Sequence, residues 1–236
     1  MTGVLFVTGT DTDVGKTVTT AALAAALAAG GRSVAVYKPA QAGTDARGDG
    51  DIDTIRRLTG ITAVGEGVRL PEPMAPVAAA TRAGVTLPQA RAHLDTIHDL
   101  AERHDHTLVE GAGGLLVHLD HDGTTLADLA VALPAGLSST VVVCRGRLGT
   151  LNHTDLVLEA LARRRVSVAG LVIGSWPAAP TDVDLDNRAE LSRRGALIGA
   201  VPEASGSLAP QRFRELAPDW FRPPVSPGRR ASAAAP

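Results

Sequence analysis

Gly9-Thr10-Asp11-Thr12-Asp13-Val14-Gly15-Lys16-Thr17 is the stretch whose reading decides the fold. An apolar run (4–8) enters it, and an Ala-rich run (14–29), stopped at Gly30-Gly31, leaves it. Strand, glycine-bounded turn and helix in that order make a phosphate cradle. The glycines permit a tight turn whose amides converge on phosphate oxygens, and the helix start adds its dipole. Lys16 is expected to reach the β- and γ-phosphates of a nucleotide, and the Thr17 hydroxyl to bind Mg²⁺. The spacing departs from the strict G-x-x-x-x-G-K-[ST] pattern. Gly9 precedes Gly15 by one residue more than that pattern allows, and Thr10 takes the expected glycine position. A glycine-rich turn without a ligand is the competing reading, and the Gly-Lys-Thr between strand and helix argues against it.

Outward from this loop, strand and helix patterns alternate. Strands are expected at 33–37, 107–109, 140–144, 168–173 and 196–201. The run 140–144 is continuous and β-branched, as in a strand buried on both faces. Helices are expected at 51–58, 87–103, 126–133, 150–165 and 188–194, and a loop at 61–76, where Pro71, Pro73 and Pro76 fall. The alternation predicts an α/β fold of the P-loop NTPase type, a mostly parallel central sheet with helices on both faces. One domain is expected over 1–221, followed by a disordered tail at 222–236.

The chain has 236 residues, 44% hydrophobic and 20% charged, with a net charge of −2, which argues against a general nucleic-acid or anionic-membrane binder. Its one cysteine, Cys144, excludes an intramolecular disulfide and a cysteine-based metal cluster and reads as an inert buried thiol. The N-terminus lacks the basic region of a signal peptide, and the weakly polar stretch 18–31 is shorter than the ~20 apolar residues of a membrane span. A cytoplasmic location is therefore expected. His104, His106, His118 and His121 lack a converging ligand spacing and read as polar loop.

Of 23 basic residues only Lys16 and Lys38 are lysines. Under so strong a preference for arginine, a lysine marks a place where a compact point charge is needed. Lys38 follows an apolar strand and precedes Pro39. Mg²⁺ prefers carboxylates beside the phosphates. Glu110 ends a strand and precedes Gly111-Ala112-Gly113-Gly114, so it is expected to face the ligand crevice at the carboxyl ends of the strands. Asp49, Asp51 and Asp53 cluster at a helix start, where N-capping is an equally good explanation.

Taken together, VTGTDTDVGKT (7–17), VAVYKPAQAGT (34–44), PMAP (73–76), LVEGAGGLLV (108–117), LGTLNHT (148–154) and GLVIGSWP (170–177) resemble the dethiobiotin synthetase family. The resemblance implies ATP-dependent ring closure. One amine of 7,8-diaminopelargonate takes up CO₂ (from bicarbonate) as a carbamate, whose oxygen attacks the γ-phosphate. The second amine then displaces phosphate from the carbamic–phosphoric anhydride and closes the cyclic urea. It further implies that Lys38 and Lys16 neutralise charge at the γ-phosphate, and that Thr12 lines the same pocket. By the same resemblance Asp13, Val14 and Gly15 complete the phosphate loop, and Thr17, Glu110 and one aspartate, best matched by Asp51, hold Mg²⁺. Gly111, Ala112 and Gly113 pass close to nucleotide or diamine. The family is a homodimer whose substrate carboxylate docks at a helix start of the partner subunit, here Gly149, Thr150 and Asn152. The plainer reading, a helix cap with Asn152 satisfying backbone amides, is compatible with that role.

Two departures stand out. Ala42 occupies a position where the family carries a hydroxyl that contacts the diamine, with Gln41 or Thr44 as possible substitutes. The strand ending at Gly174-Ser175-Trp176 lacks the asparagine that reads adenine, which predicts weak discrimination among nucleoside triphosphates. Pro202, Glu203 and Ala204 are expected to line the base, and Trp176 to pack near the nucleotide or in the core. Three rivals are weighed. Cobalamin-type amidotransferase ligases carry a second domain with a nucleophilic cysteine, for which this chain is too short. Nucleotide switches of the partition and division-site type carry an extra lysine early in the loop, and none precedes Lys16. A degenerate binding module is hinted at by Ala42 alone.

Overall fold

The computed structural model describes residues 3–44 and 48–221; the tail expected at 222–236 lies outside the described residues. The strands are β1 (Gly3–Gly9), β2 (Val34–Ala42), β3 (Val64–Leu70), β4 (His106–Gly114), β5 (Ser138–Cys144), β6 (Val168–Trp176) and β7 (Leu197–Pro202). They form one seven-stranded sheet in the order β3-β2-β4-β1-β5-β6-β7, and every strand pair is parallel. The helices are α1 (Lys16–Ala29), α2 (Asp51–Thr59), α3 (Pro76–Ala83), α4 (Ala90–Arg103), α5 (Leu126–Ala132), α6 (Thr150–Arg163), α7 (Asp182–Arg194) and α8 (Pro210–Leu216).

The central strand β1 is buried along its whole length, as its unbroken apolar sequence requires. Alternate residues face opposite layers. Leu5 and Val7 pack with Ala21, Leu23 and Ala24 of α1 and Ile52 and Ile55 of α2. Val4 and Phe6 pack with Ile97 of α4 and Leu126 and Leu129 of α5. Beyond them, Val142, Leu171 and Ile173 meet Leu161 of α6 and Leu191 of α7. Full burial of a side chain such as Phe6 contributes roughly 1.5–3 kcal/mol, so the two layers hold the helices against the sheet.

Several elements differ from the sequence reading. β3 lies inside the stretch expected to be loop. It is a half-exposed edge strand, a position that tolerates the glycines and charges of VGEGVRL. Pro76, taken as a loop marker, is the first residue of α3, where its missing N–H costs nothing. β2 runs past Tyr37 to Ala42, because Pro39 sits where pairing to β4 has ended while pairing to β3 continues. α1 starts at Lys16 rather than at position 14, since Gly15 holds φ 92°. α7 starts at Asp182 instead of 188, behind a capping box in which Thr181 accepts from Asp184 N.

Candidate active site

All seven strands bring their carboxyl ends to one edge of the sheet, and a cleft of about 710 Å³ opens there, lined by residues on or following β1, β2, β3 and β4. The loop after β1 is braced from all sides. Thr10 N donates to Val143 O of β5 at 2.9 Å. Thr12 N donates to Asp11 Oδ1 at 2.7 Å, and Lys16 Nζ to Asp11 O at 2.9 Å. Arg145, just past β5, clamps the loop by donating to Asp11 Oδ2 at 3.2 Å and to Thr12 O at 3.0 Å. Behind it, the Gly15 and Gly174 backbones touch so closely that a Cβ on Gly174 would overlap the Val14 carbonyl. Val14 is buried beneath the loop, while Thr12 and Asp13 are exposed at the cleft mouth.

In the cleft floor three charges converge. Tyr37 pairs with Val109 across β2 and β4, so the next residues, Lys38 and Glu110, stand side by side. Lys38 Nζ lies 3.0 Å from Glu110 Oε1 and 2.6 Å from Asp51 Oδ2, and it donates to Gly111 O at 3.3 Å. The Thr17 hydroxyl donates to Glu110 Oε1 at 2.9 Å. Lys38 is 2% exposed and Glu110 0%, so neither charge would survive there alone. Burial alone would pull the Lys38 pKa down, but Glu110 and Asp51 outweigh it and raise it, keeping the ammonium charged. Burial pushes the Asp51 carboxyl up, yet the Lys38 ammonium and its hydrogen bond leave it net below the ordinary carboxylate value. Lys16 is shifted down, chiefly by burial, with Glu110 opposing.

The donor chemistry fits a hard divalent cation. Glu110 Oε2 is buried with no hydrogen-bond partner among the described residues, and the Thr17 hydroxyl and Asp51 carboxylate stand beside the same residue. No group of three or more His, Cys, Asp or Glu suited to a metal occurs among the described residues. A cation here would therefore draw its other oxygens from phosphate and water.

The same cleft gathers most of the residues singled out from the sequence. Ala42, Ala112 and Gly113 line it with Lys16, Lys38 and Asp51, and Gly111 sits buried at its base. Other residues lie apart from it. Ser175, Pro202, Glu203 and Ala204 are exposed and outside its lining, where Glu203 N donates to Trp176 O at 2.8 Å. Trp176 packs with the α6–α7 layer, and its ring lies 4.9 Å beneath the Arg188 guanidinium, away from the cleft. Gly149, Thr150 and Asn152 form the start of α6. The capping role offered for Asn152 is overturned: Gly149 is the N-cap, no side chain caps it, and Asn152 is exposed within the helix. Sequence reasoning passed over Arg145, whose contact with Asp11 bridges 134 positions and leaves no local signal. Pro73, Met74 and Ala75 also line the cleft and carried only the resemblance.

This fold and this cleft define a P-loop-type nucleotide-binding α/β protein. A family model described as an AAA domain matches residues 3–211. Among solved structures, the cell division ATPase MinD of Pyrococcus furiosus is 18% identical with a TM-score of 0.59, covering 92% of this chain and 97% of that one. The signal recognition particle receptor FtsY of Elizabethkingia anophelis, with GDP, is 16% identical with a TM-score of 0.56, over 94% of this chain and 65% of that one. At such identity these share the fold alone. The ATP-dependent dethiobiotin synthetase BioD of Rhodococcus jostii is 49% identical over 220 residues, 92% of this chain and 94% of its own. Its namesake from Mycolicibacterium vanbaalenii is 50% identical over 220 residues, 93% of this chain and 96% of its own. The chain belongs to the ATP-dependent dethiobiotin synthetase family.

Proposed function

We propose that the cleft joins CO₂ to 7,8-diaminopelargonate and closes the ureido ring at the expense of ATP, with Lys38 at the centre of the chemistry. The observation that carries this reading is the buried Lys38 ammonium, held between Asp51 and Glu110 in the same cleft as Lys16 and Thr17. The loop amides and Lys16 bind the triphosphate, with Thr12 at its mouth. Thr17, Asp51 and Glu110 would hold Mg²⁺, which supplies charge neutralisation on the phosphates. Lys38 neutralises the carbamate oxygen and the γ-phosphate as their bond forms and the bond from the γ-phosphorus to the bridging oxygen breaks, releasing ADP. The second amine attacks the carbamoyl carbon, its proton leaves, and the C–O bond breaks to release phosphate.

That sequence transfers one carbamate oxygen to phosphorus. Turnover with ¹⁸O-labelled bicarbonate is expected to yield phosphate carrying one ¹⁸O, read by mass spectrometry. Unlabelled phosphate would contradict the anhydride. The substrate carboxylate is assigned to the α6 start of a partner subunit. There the Thr150 hydroxyl is buried without a partner among the described residues and Gly149 leaves the helix amides uncapped. Leu148 beside it is 88% exposed, which suits burial in a homodimer. No described helix is long and apolar enough to cross a membrane. Together with the single buried cysteine this supports a cytoplasmic enzyme.

A further inference from the structure

We infer that Gln41 is a positioning residue: it ties the start of α2 to the end of β2 and thereby sets where the Asp51 carboxylate stands relative to Lys38. The inference rests on the reading of Asp51 as a cation ligand. Gln41 is 5% exposed, and both ends of its amide are used. Its Nε2 donates to Gly43 O at 2.7 Å, and its Oε1 accepts from Asp51 N at 2.9 Å. Chemistry fixes that orientation, since a backbone N–H needs an acceptor and a backbone carbonyl a donor.

Asp51 is the first residue of α2, and its N-cap is Gly50, which has no side chain to satisfy the orphan amides. Gln41 supplies the missing acceptor from the neighbouring strand. The fit is close: a Cβ on Gly50 would lie 2.9 Å from Gln41 Cγ and Cδ. A second brace comes from β3. Arg69 donates to Gly48 O at 2.9 Å and to Asp53 Oδ2 at 2.6 Å, and Asp53 Oδ2 also accepts from Gly50 N at 2.9 Å. Arg69 is 37% exposed, so the buried Gln41 is the stiffer of the two.

Asp51 is the only one of the three convergent cleft-floor charges that is not on the sheet. Lys38 and Glu110 are placed by strand register, whereas Asp51 is placed by how α2 starts. Gln41, three residues after Lys38 on the same strand, makes that start part of the sheet's frame. Both ends of its amide are engaged by the backbone, while the side chain also lines the cleft.

The test uses Mn²⁺ as the probe, with bound metal read by electron paramagnetic resonance in the presence of ADP, where no turnover is needed. Gln41→Leu is expected to weaken Mn²⁺ about tenfold, the lower end for losing a partner that orients a metal ligand. ADP affinity in EDTA and the KM for the diamine should stay within twofold. Unchanged Mn²⁺ affinity would overturn the proposal. So would a raised diamine KM at unchanged metal affinity, which would make Gln41 a substrate contact. Gln41→Glu keeps the acceptor for Asp51 N and is expected to bind Mn²⁺ at least as tightly as the parent; a tenfold loss there counts against the proposal. Should Gln41→Leu fail to fold, Gln41→Glu and hydrogen exchange on the unmodified chain decide the matter: the Asp51 amide should be protected, and exchange at the free-peptide rate overturns the tether. Asp51→Asn is run in parallel. If it leaves Mn²⁺ binding untouched, the ligand reading itself has failed and this inference falls with it, whereas a chain without ligase turnover would sink the reaction and leave this readout intact.

Discussion

Lys38 unites the two roles that a single residue can have in such a cleft. Its ammonium compensates two carboxylates in the resting fold and, in the proposed reaction, phosphate charge as well. Lys38→Met is expected to lower kcat at least 100-fold, roughly 3 kcal/mol of transition-state stabilisation, while nucleotide binding survives. Near-normal turnover would refute the assignment. The Asp51 carboxyl titrates below its usual 3.8, so its contribution to stability is present above that pH and is lost as pH falls through its lower folded value. Urea unfolding should therefore show the parent losing stability more steeply than Asp51→Asn below about pH 4; equal slopes would contradict the pairing. Cys144 is 0% exposed, and burial pushes its thiol up to about 11, so it should react with a thiol reagent only on unfolding. At this scale the sequence was most informative where composition was extreme. Two lysines among so many arginines pointed to the charged cluster directly. Arg145 and the Gln41–Asp51 bond were invisible, because each joins segments with no local pattern.

At the scale of elements, the end of β6 acts as a backstop for the phosphate loop. Gly174→Ala forces a methyl into the Val14 carbonyl; a loss of about 1–3 kcal/mol in stability and a marked fall in nucleotide affinity are expected by calorimetry. A variant that binds nucleotide normally would show that this contact is slack. The same strand ends at Gly174-Ser175-Trp176 with no carboxamide, and Trp176 turns to the α6–α7 layer. We expect kcat/KM for ATP, GTP and CTP to fall within about 100-fold of each other; a larger preference for ATP would mean that another group reads the base. Strongly apolar strands and long amphipathic helices were legible as elements. β3 was not, because an edge strand is spared the apolar pattern that burial imposes. α3 was missed because its proline reads as a loop unless its place at the first helical turn is known. The α7 start was missed although Thr181 and Asp184 spell a capping box.

For the whole molecule, alternating strands and helices were enough to foresee a parallel sheet, and the glycine-rich turn told where its working edge lies. Which strand neighbours which was not foreseeable from pattern alone. The order β3-β2-β4-β1-β5-β6-β7 brings β2 and β4 together, and that adjacency pairs Lys38 with Glu110 across 72 positions. If the carboxylate subsite is completed by a partner subunit, specific activity should fall on dilution below the dimer dissociation constant, and Leu148→Glu should yield monomers with little turnover. Active monomers would place the whole site within one chain.

The most direct measurement is release of ADP and phosphate from Mg-ATP with and without 7,8-diaminopelargonate plus bicarbonate, followed by mass spectrometry of the organic product. The account requires turnover only when both are present, with one ADP released for each cyclic urea formed. ATP hydrolysis indifferent to the diamine would contradict it and make the chain a nucleotide switch, and absence of turnover with any nucleotide would make it a binding module without catalysis.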